Sequence, residues 1–238
     1  MGNTVYGGKN VYGYDIGIMM LDSQFPRIIG DVGNAKTWNF PVLYKTVKNA
    51  TPNKVVLNLT KDDIRPFINA AKELEKAGAL AITTSCGFLS LFQDVLVKEV
   101  NVPVFTSSLI MLPMVSRMIG NKNVLVLTAN SDTLTYDHLE AVCGKINFSN
   151  YKIVGTQNKD TFTNFTVENW LSVDLDKCQD DIMSTIEEVL SKDDSYGAIL
   201  LECTNMPPYS RVIREKYGLP VFDFVTLTNF VHYSLFGE

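Results

Sequence analysis

Two apolar patterns alternate along the chain. In residues 14–20, 54–59, 78–84, 102–106, 123–128, 151–155, 198–201 and 219–223 the apolar positions are nearly continuous. Such runs predict strands of a parallel sheet covered on both faces. Between them the apolar positions recur every three or four residues. Ile64, Phe67, Ile68, Ala71, Leu74 and Ala77 predict a helix that Gly78 ends, with Pro66 confined to its first turn. Further helices are predicted over 89–97, 109–119, from a cap at Ser131 or Asp132 to 142, over 176–190, 207–217 and 226–235. Leu175, Cys178, Ile182, Ile186 and Val189 mark the buried stripe of the 176–190 helix.

This alternation predicts an α/β fold of layered sheets and helices. A break near residues 117–122 divides it into two similar series. The expected organisation is a first lobe over 1–117, completed by 222–238, and a second lobe over 118–221. Polar, threonine- and asparagine-rich residues 155–174 predict a loop or lid.

At 238 residues the chain is long enough to bury a core without staples. Its net charge of −5 comes from 21 basic and 26 acidic residues and carries no clustered basic footprint for nucleic acid. No apolar stretch is long enough for a membrane helix and no leader is evident, so a cytoplasmic protein with reduced thiols is expected. Four cysteines without a CxxC pair, and only two histidines, offer no zinc pattern. His138 falls inside a predicted helix, His232 near the end of the last one, and Asp15 at the start of the first strand or facing a cleft.

Two of the cysteines stand at the same phase of one repeated unit. A helix, a small turn and a buried strand lead to Thr84-Ser85-Cys86-Gly87, and the same grammar leads to Cys203-Thr204-Asn205. Both thiols sit at the carboxyl end of a strand, where open parallel sheets bind ligands, and each precedes a helix whose free amides favour a thiolate. Cys143 and Cys178 fall within helices and read as core. Two thiols facing one cleft can remove a proton α to a carboxylate on one face and return it on the other. Thr84, Ser85, Gly87, Thr204 and Asn205 adjoin them and can donate to the carboxylate. Asp22, Arg27 and Asn34, after the first strand, are further candidates for substrate binding, and Tyr209 is a possible contact beyond Cys203.

On these residues the chain resembles the aspartate/glutamate racemase superfamily, which includes hydantoin racemases, maleate isomerases and arylmalonate decarboxylases. The resemblance runs from residue 16 to about 224, and includes Phe25-Pro26-Arg27 and the stretch from Gly30 to Asn34. It implies two pseudo-symmetric α/β lobes with mainly parallel sheets and the active site between them. It also implies cofactor-independent chemistry at Cys86 and Cys203, an enzyme of amino-acid metabolism, and a homodimer. Asn205 stands where glutamate-specific members carry histidine and some aspartate-specific members carry glutamate. The expectation is a racemase, an isomerase acting on a small carboxylate-bearing amino acid or analogue. The alternatives are a maleate-isomerase-like or decarboxylase-like enzyme on a small acid, or a non-catalytic small-molecule binding protein.

Overall fold

The computed structural model describes residues 4–145 and 147–237. In the first half of the chain β1 (Ile16–Leu21), β2 (Val42–Val47), α1 (Pro52–Asn58), α2 (Ile64–Ala77), β3 (Ala81–Thr84), α3 (Gln93–Glu99), β4 (Val104–Phe105) and α4 (Leu112–Ile119) follow one another. The second holds β5 (Asn123–Thr128), α5 (Tyr136–Cys143), β6 (Tyr151–Gly155), α6 (Phe162–Val167), α7 (Leu175–Leu190), β7 (Tyr196–Leu201), α8 (Ser210–Tyr217) and β8 (Val221–Phe222). The final helix is α9 (Phe224–Phe236). The strand orders are β2-β1-β3-β4 and β6-β5-β7-β8, so each sheet repeats the other's topology. Each pairing is parallel. The protein is thus two pseudo-symmetric α/β lobes, each a parallel sheet flanked by helices.

The buried strands explain the continuous apolar runs. Each residue of β1, β3 and β7 is buried, because helices cover both faces. One apolar cluster joins Ile16, Ile18 and Ile82 of the first sheet to Val124, Val126, Ala198 and Leu200 of the second. The lobes therefore share a core rather than meeting across a solvated seam.

Two sequence expectations change, and one strand goes unpredicted. Residues 54–59 are not a strand but lie largely in α1, where the Thr51 hydroxyl accepts from the Lys54 amide and Pro52 opens the first turn. Val55 and Val56 are buried and Leu57 and Asn58 are exposed, a helical spacing that a short apolar run cannot distinguish from a strand. The strand actually used is β2, a half-buried edge strand that the continuous-run criterion passes over. Residues 155–174 are not an open loop throughout. They contain α6, whose first amides, at Thr161 and Phe162, both donate to Asp181 Oδ2 at 2.8 Å, and whose Phe162 and Phe165 are core.

After β8 the chain leaves the second sheet. Asp223 caps α9 through the Thr226 amide, and His232 of that helix meets Asp15 at 2.9 Å and stacks on Phe40 at 3.8 Å between ring centroids. Asp15 is thereby committed at the amino end of β1, away from the carboxyl ends of the strands. Among the described residues no helix is long and apolar enough to cross a membrane.

Candidate active site

The carboxyl ends of β3 and β7 repeat one backbone device. The Ser85 amide donates to Met19 O at 2.9 Å and the Glu202 amide to Leu127 O at 2.8 Å, closing each strand against the central one. A cysteine follows in each case. The carbonyl of Cys86 then accepts from the Leu89 amide at 3.2 Å, and that of Cys203 from the Met206 amide at 3.1 Å. The backbone N–H two residues on, at Phe88 for Cys86 and at Asn205 for Cys203, favours the charged form of each sulfur. Cys86 and Cys203 are structural equivalents, as are Ser85 and Glu202.

The two turns face each other across one cavity of about 390 Å³, mouth included. Its polar wall holds Arg27, Ser85, Cys86, Glu202, Cys203, Thr204 and Asn205. Its apolar wall holds Leu21, Phe25, Val56, Phe88, Ala129 and Val167, with Pro52 and the backbone of Gly87. Cys86 is 7% exposed and Cys203 is half-buried. Burial first, then the negative charge of Glu202, pushes both thiols well above the ordinary thiol range. The next charges differ: Arg27 eases ionisation of Cys86, whereas Cys86 itself and Asp31 oppose ionisation of Cys203. The Cys203 thiol donates weakly to Asn205 Oδ1 at 3.6 Å.

The loop after β1 has a physical role that its sequence does not disclose. Asp31, 3% exposed, receives Arg27 Nη1 at 2.7 Å, the Gly33 amide at 2.7 Å and Asn205 Nδ2 at 2.6 Å. It thus links the first lobe's arginine to the residue two past the second cysteine. Gly30, at φ +101°, lets this loop pass Pro208, where a Cβ would lie 2.9 Å from the Pro208 Cα. Arg27 is fixed further by Ser23 Oγ at 2.9 Å and by the Phe25 ring, 4.3 Å below its Cζ.

Of the residues expected to bind substrate, Arg27, Ser85, Gly87, Thr204 and Asn205 line the cavity, and Asp22, Asn34 and Thr84 do not. Asp22 accepts the Asn49 amide in the turn after β2. Asn34 donates to the Arg27 carbonyl and caps the short turn at Lys36. Thr84 donates to the carbonyls of Cys86 and Thr106. The side chains of Thr204 and Asn205 are also engaged, since the Thr204 hydroxyl donates to Ser85 O. Tyr209 is buried beside Cys178 and does not line the cavity. His138 is buried in the cap of α5, and burial holds it at about 4, so it is neutral there.

Sequence reasoning passed over Asp31 and Glu202. Glu202 is fully buried, and burial raises its pKa to about 7. Its Oε2 accepts the Thr128 hydroxyl at 2.6 Å, while Oε1 has no hydrogen-bond partner among the described residues. A Cβ on Gly87 would overlap Oε1, so only glycine leaves that oxygen its place beside the first cysteine turn. The available signal was a charged residue at the end of an otherwise apolar strand, Leu200-Leu201-Glu202.

A family model described as Asp/Glu/Hydantoin racemase matches residues 53–228. Dimethylsulfoniopropionate lyase 7 of Emiliania huxleyi (strain CCMP1516) is 33% identical over 223 residues, covering 90% of this chain and 65% of that protein. Dimethylsulfoniopropionate lyase 6 of the same strain is 31% identical over 229 residues, covering 92% of this chain and 59% of that protein. A dimethylsulfoniopropionate lyase of Durusdinium sp. clade D is 30% identical over 228 residues, covering 93% and 75%. The chain thus spans 65% and 59% of the length of the two Emiliania proteins. Among solved structures, allantoin racemase from Klebsiella pneumoniae superposes with a TM-score of 0.62 at 14% identity, over 94% of this chain and 88% of that one. Arylmalonate decarboxylase superposes with a TM-score of 0.56 at 17% identity, over 92% of each chain. The likeness to these structures is one of fold.

The curated relatives correct the expected reaction. An isomerase that racemises an amino acid was expected, but proteins 30–33% identical over nearly the whole chain are lyases. The reason is chemical. A base that removes an α-proton serves racemisation or elimination alike, and the choice lies with the leaving group on the next carbon, which motif spacing does not encode.

Proposed function

We propose that this chain, which belongs to the Asp/Glu/hydantoin racemase family, is a lyase that eliminates a neutral sulfide from a small carboxylate bearing a sulfonium group, dimethylsulfoniopropionate being the candidate substrate. The observation that carries the reading is the run of relatives named for that reaction, matched over 90% or more of the chain. The cavity supplies chemistry suited to it: two thiols, one arginine and an apolar wall.

In this reading Arg27 and the amides of the cysteine turns receive the substrate carboxylate, where negative charge grows as the α-proton leaves. Cys86, the thiol whose ionisation Arg27 favours, acts as thiolate and takes the proton from C2. The C2–H electron pair becomes the second bond between C2 and C3. The C3–S bond breaks with its pair on sulfur, releasing dimethyl sulfide and acrylate and leaving the proton on Cys86. That proton passes to solvent before the next turnover. The departing sulfide is neutral and needs no acid. Cys203 remains a thiol and packs against the substrate opposite the base. The dimethyl group lies against Phe25, Phe88 and Val167.

The test is direct. Purified protein incubated with dimethylsulfoniopropionate is expected to release dimethyl sulfide and acrylate in equal amounts, followed by gas chromatography and by acrylate absorbance. Solvent deuterium entering C2 without sulfide release would overturn the reading, as would a folded protein that turns over none of the compound.

A further inference from the structure

The pseudo-symmetry of the two cysteine turns fails at one position. Ser85 and Glu202 occupy equivalent places, each with its amide bonded to the neighbouring central strand. Ser85 meets its surroundings with a neutral hydroxyl, which accepts the Leu21 amide at 2.9 Å. At the matching place the second lobe sets a carboxyl group that is fully buried and lines the cavity. Thr128 satisfies one of its oxygens; the other faces Gly87 with no partner among the described residues.

A buried carboxylate with a single hydrogen bond is costly unless a positive charge comes to it. Arg27, the cavity's guanidinium, does not fill that role. Its guanidinium is held by Asp31 and by the Ser23 hydroxyl. The titratable groups that Glu202 confronts are Cys86 on the opposite turn and Cys203 beside it. A thiol is neutral and a thiolate negative, so neither cysteine supplies a cation in either state. The Thr128 hydroxyl and the Gly87 backbone lie against it as well.

We propose that ionised Glu202 is the specificity-determining residue of this cavity, selecting carboxylic acids whose far end carries an onium cation over neutral acids of the same shape. This inference rests on the lyase reading for the site and adds the residue that recognises the leaving group's charge. The onium sits in the apolar pocket of Phe25 and Phe88, which tolerates its methyl groups, with Glu202 Oε1 as counter-charge. Loss of that charge as the sulfide departs also removes the attraction, so the product acid and sulfide are held less tightly than the substrate.

Binding of two inert isosteres tests the proposal by calorimetry. One is 3-(trimethylammonio)propanoate and the other 4,4-dimethylpentanoate, which differ in a nitrogen cation replaced by carbon. At pH 8 the native protein is expected to bind the cationic acid at least about tenfold more tightly, and Glu202→Gln to bring the two within about threefold. Glutamine keeps the Thr128 bond through its amide oxygen, so affinity for the neutral acid is retained. In the native protein the preference falls as pH drops from 8 to 6, because protonation of Glu202 near 7 removes the counter-charge. That pH series needs no variant and holds even where Glu202→Gln fails to fold. A preference that survives in folded Glu202→Gln, a preference independent of pH, or no preference at all overturns the proposal. Sulfide release with no such preference would sink this inference and leave the lyase reading standing; a Glu202-dependent preference without sulfide release would do the reverse.

Discussion

The Thr204 hydroxyl donates to the Ser85 carbonyl at 2.6 Å, joining residues 119 positions apart and tying the turn after one cysteine to the turn before the other. Both residues are buried, so neither group has water as an alternative partner. The spacing of the two thiols is therefore held by the protein itself. Ser108 adds a second bridge, to Leu201 O at 2.8 Å.

Thr204→Val keeps the shape and removes the donor. Leaving the Ser85 carbonyl unsatisfied is expected to cost about 1–3 kcal/mol. Urea denaturation measures that loss, and turnover should fall with it as the two turns loosen. Thr204→Ser restores the hydroxyl and should recover most of both. Full stability in Thr204→Val would mean that the lobes are held elsewhere.

The two cysteines are expected to be unequal. A positioned base contributes about 10²–10⁴-fold, so Cys86→Ala should lower dimethyl sulfide release by that much. Cys203→Ala, which removes packing rather than the base, should cost less. With the Cys86 thiol pushed up by burial and by Glu202, its thiolate fraction grows with pH. The native kcat/KM should then climb about tenfold per pH unit on the alkaline side of neutrality. A pH profile that stays flat, or a Cys203→Ala loss as large as that of Cys86→Ala, would contradict the assignment of the base.

The strands that carry the cysteines were legible because burial on both faces leaves a continuous apolar run, and Gly78, at φ +114°, marks the helix end before the first of them. The stretch 54–59 misled because four apolar residues in six satisfy a helix face and a strand equally, and the decisive cap, Thr51 with Pro52, lies just before it. The edge strand β2 is only half-buried, so its pattern is too mixed to stand out. At the site, repetition exposed Cys86 and Cys203. Asp31 and Glu202 escaped because their partners, Asn205 for one and the empty side of Gly87 for the other, are distant in sequence. Thr84 and Asn34 carry polar groups suited to a ligand, yet bond to backbone carbonyls close by.

Asp31 offers a test of the clamp between the lobes. Arg27 and Asp31 have side chains 12% and 4% exposed, so the pair is nearly out of water. Asp31→Ala strands the guanidinium and frees the Asn205 amide, and should destabilise by about 3–5 kcal/mol. Combining Arg27→Met with Asp31→Leu removes both charges and should recover much of the stability, while substrate affinity stays lost because Arg27 is gone. Equal stability of the single and double variants, read from denaturant midpoints, would refute the buried pair as the source of the effect.

Glu202 ties the chemistry of the cavity to the stability of the fold. Its pKa is about 7 in the folded chain against an ordinary 4.5, because burial penalises the charge. The folded state thus keeps a proton that the unfolded state releases. Stability from this group is complete below 4.5 and is lost as pH rises through 7, amounting to about 3 kcal/mol. Glu202→Gln does not titrate and fits the same space. It should match the native protein near pH 4 and exceed it by up to about 3 kcal/mol at pH 8, in urea denaturation at both values. An advantage of equal size at both pH values would point to packing instead of charge. A gain confined to alkaline pH, together with lost onium preference, would mean that the charge which destabilises the empty protein is the one that binds its ligand.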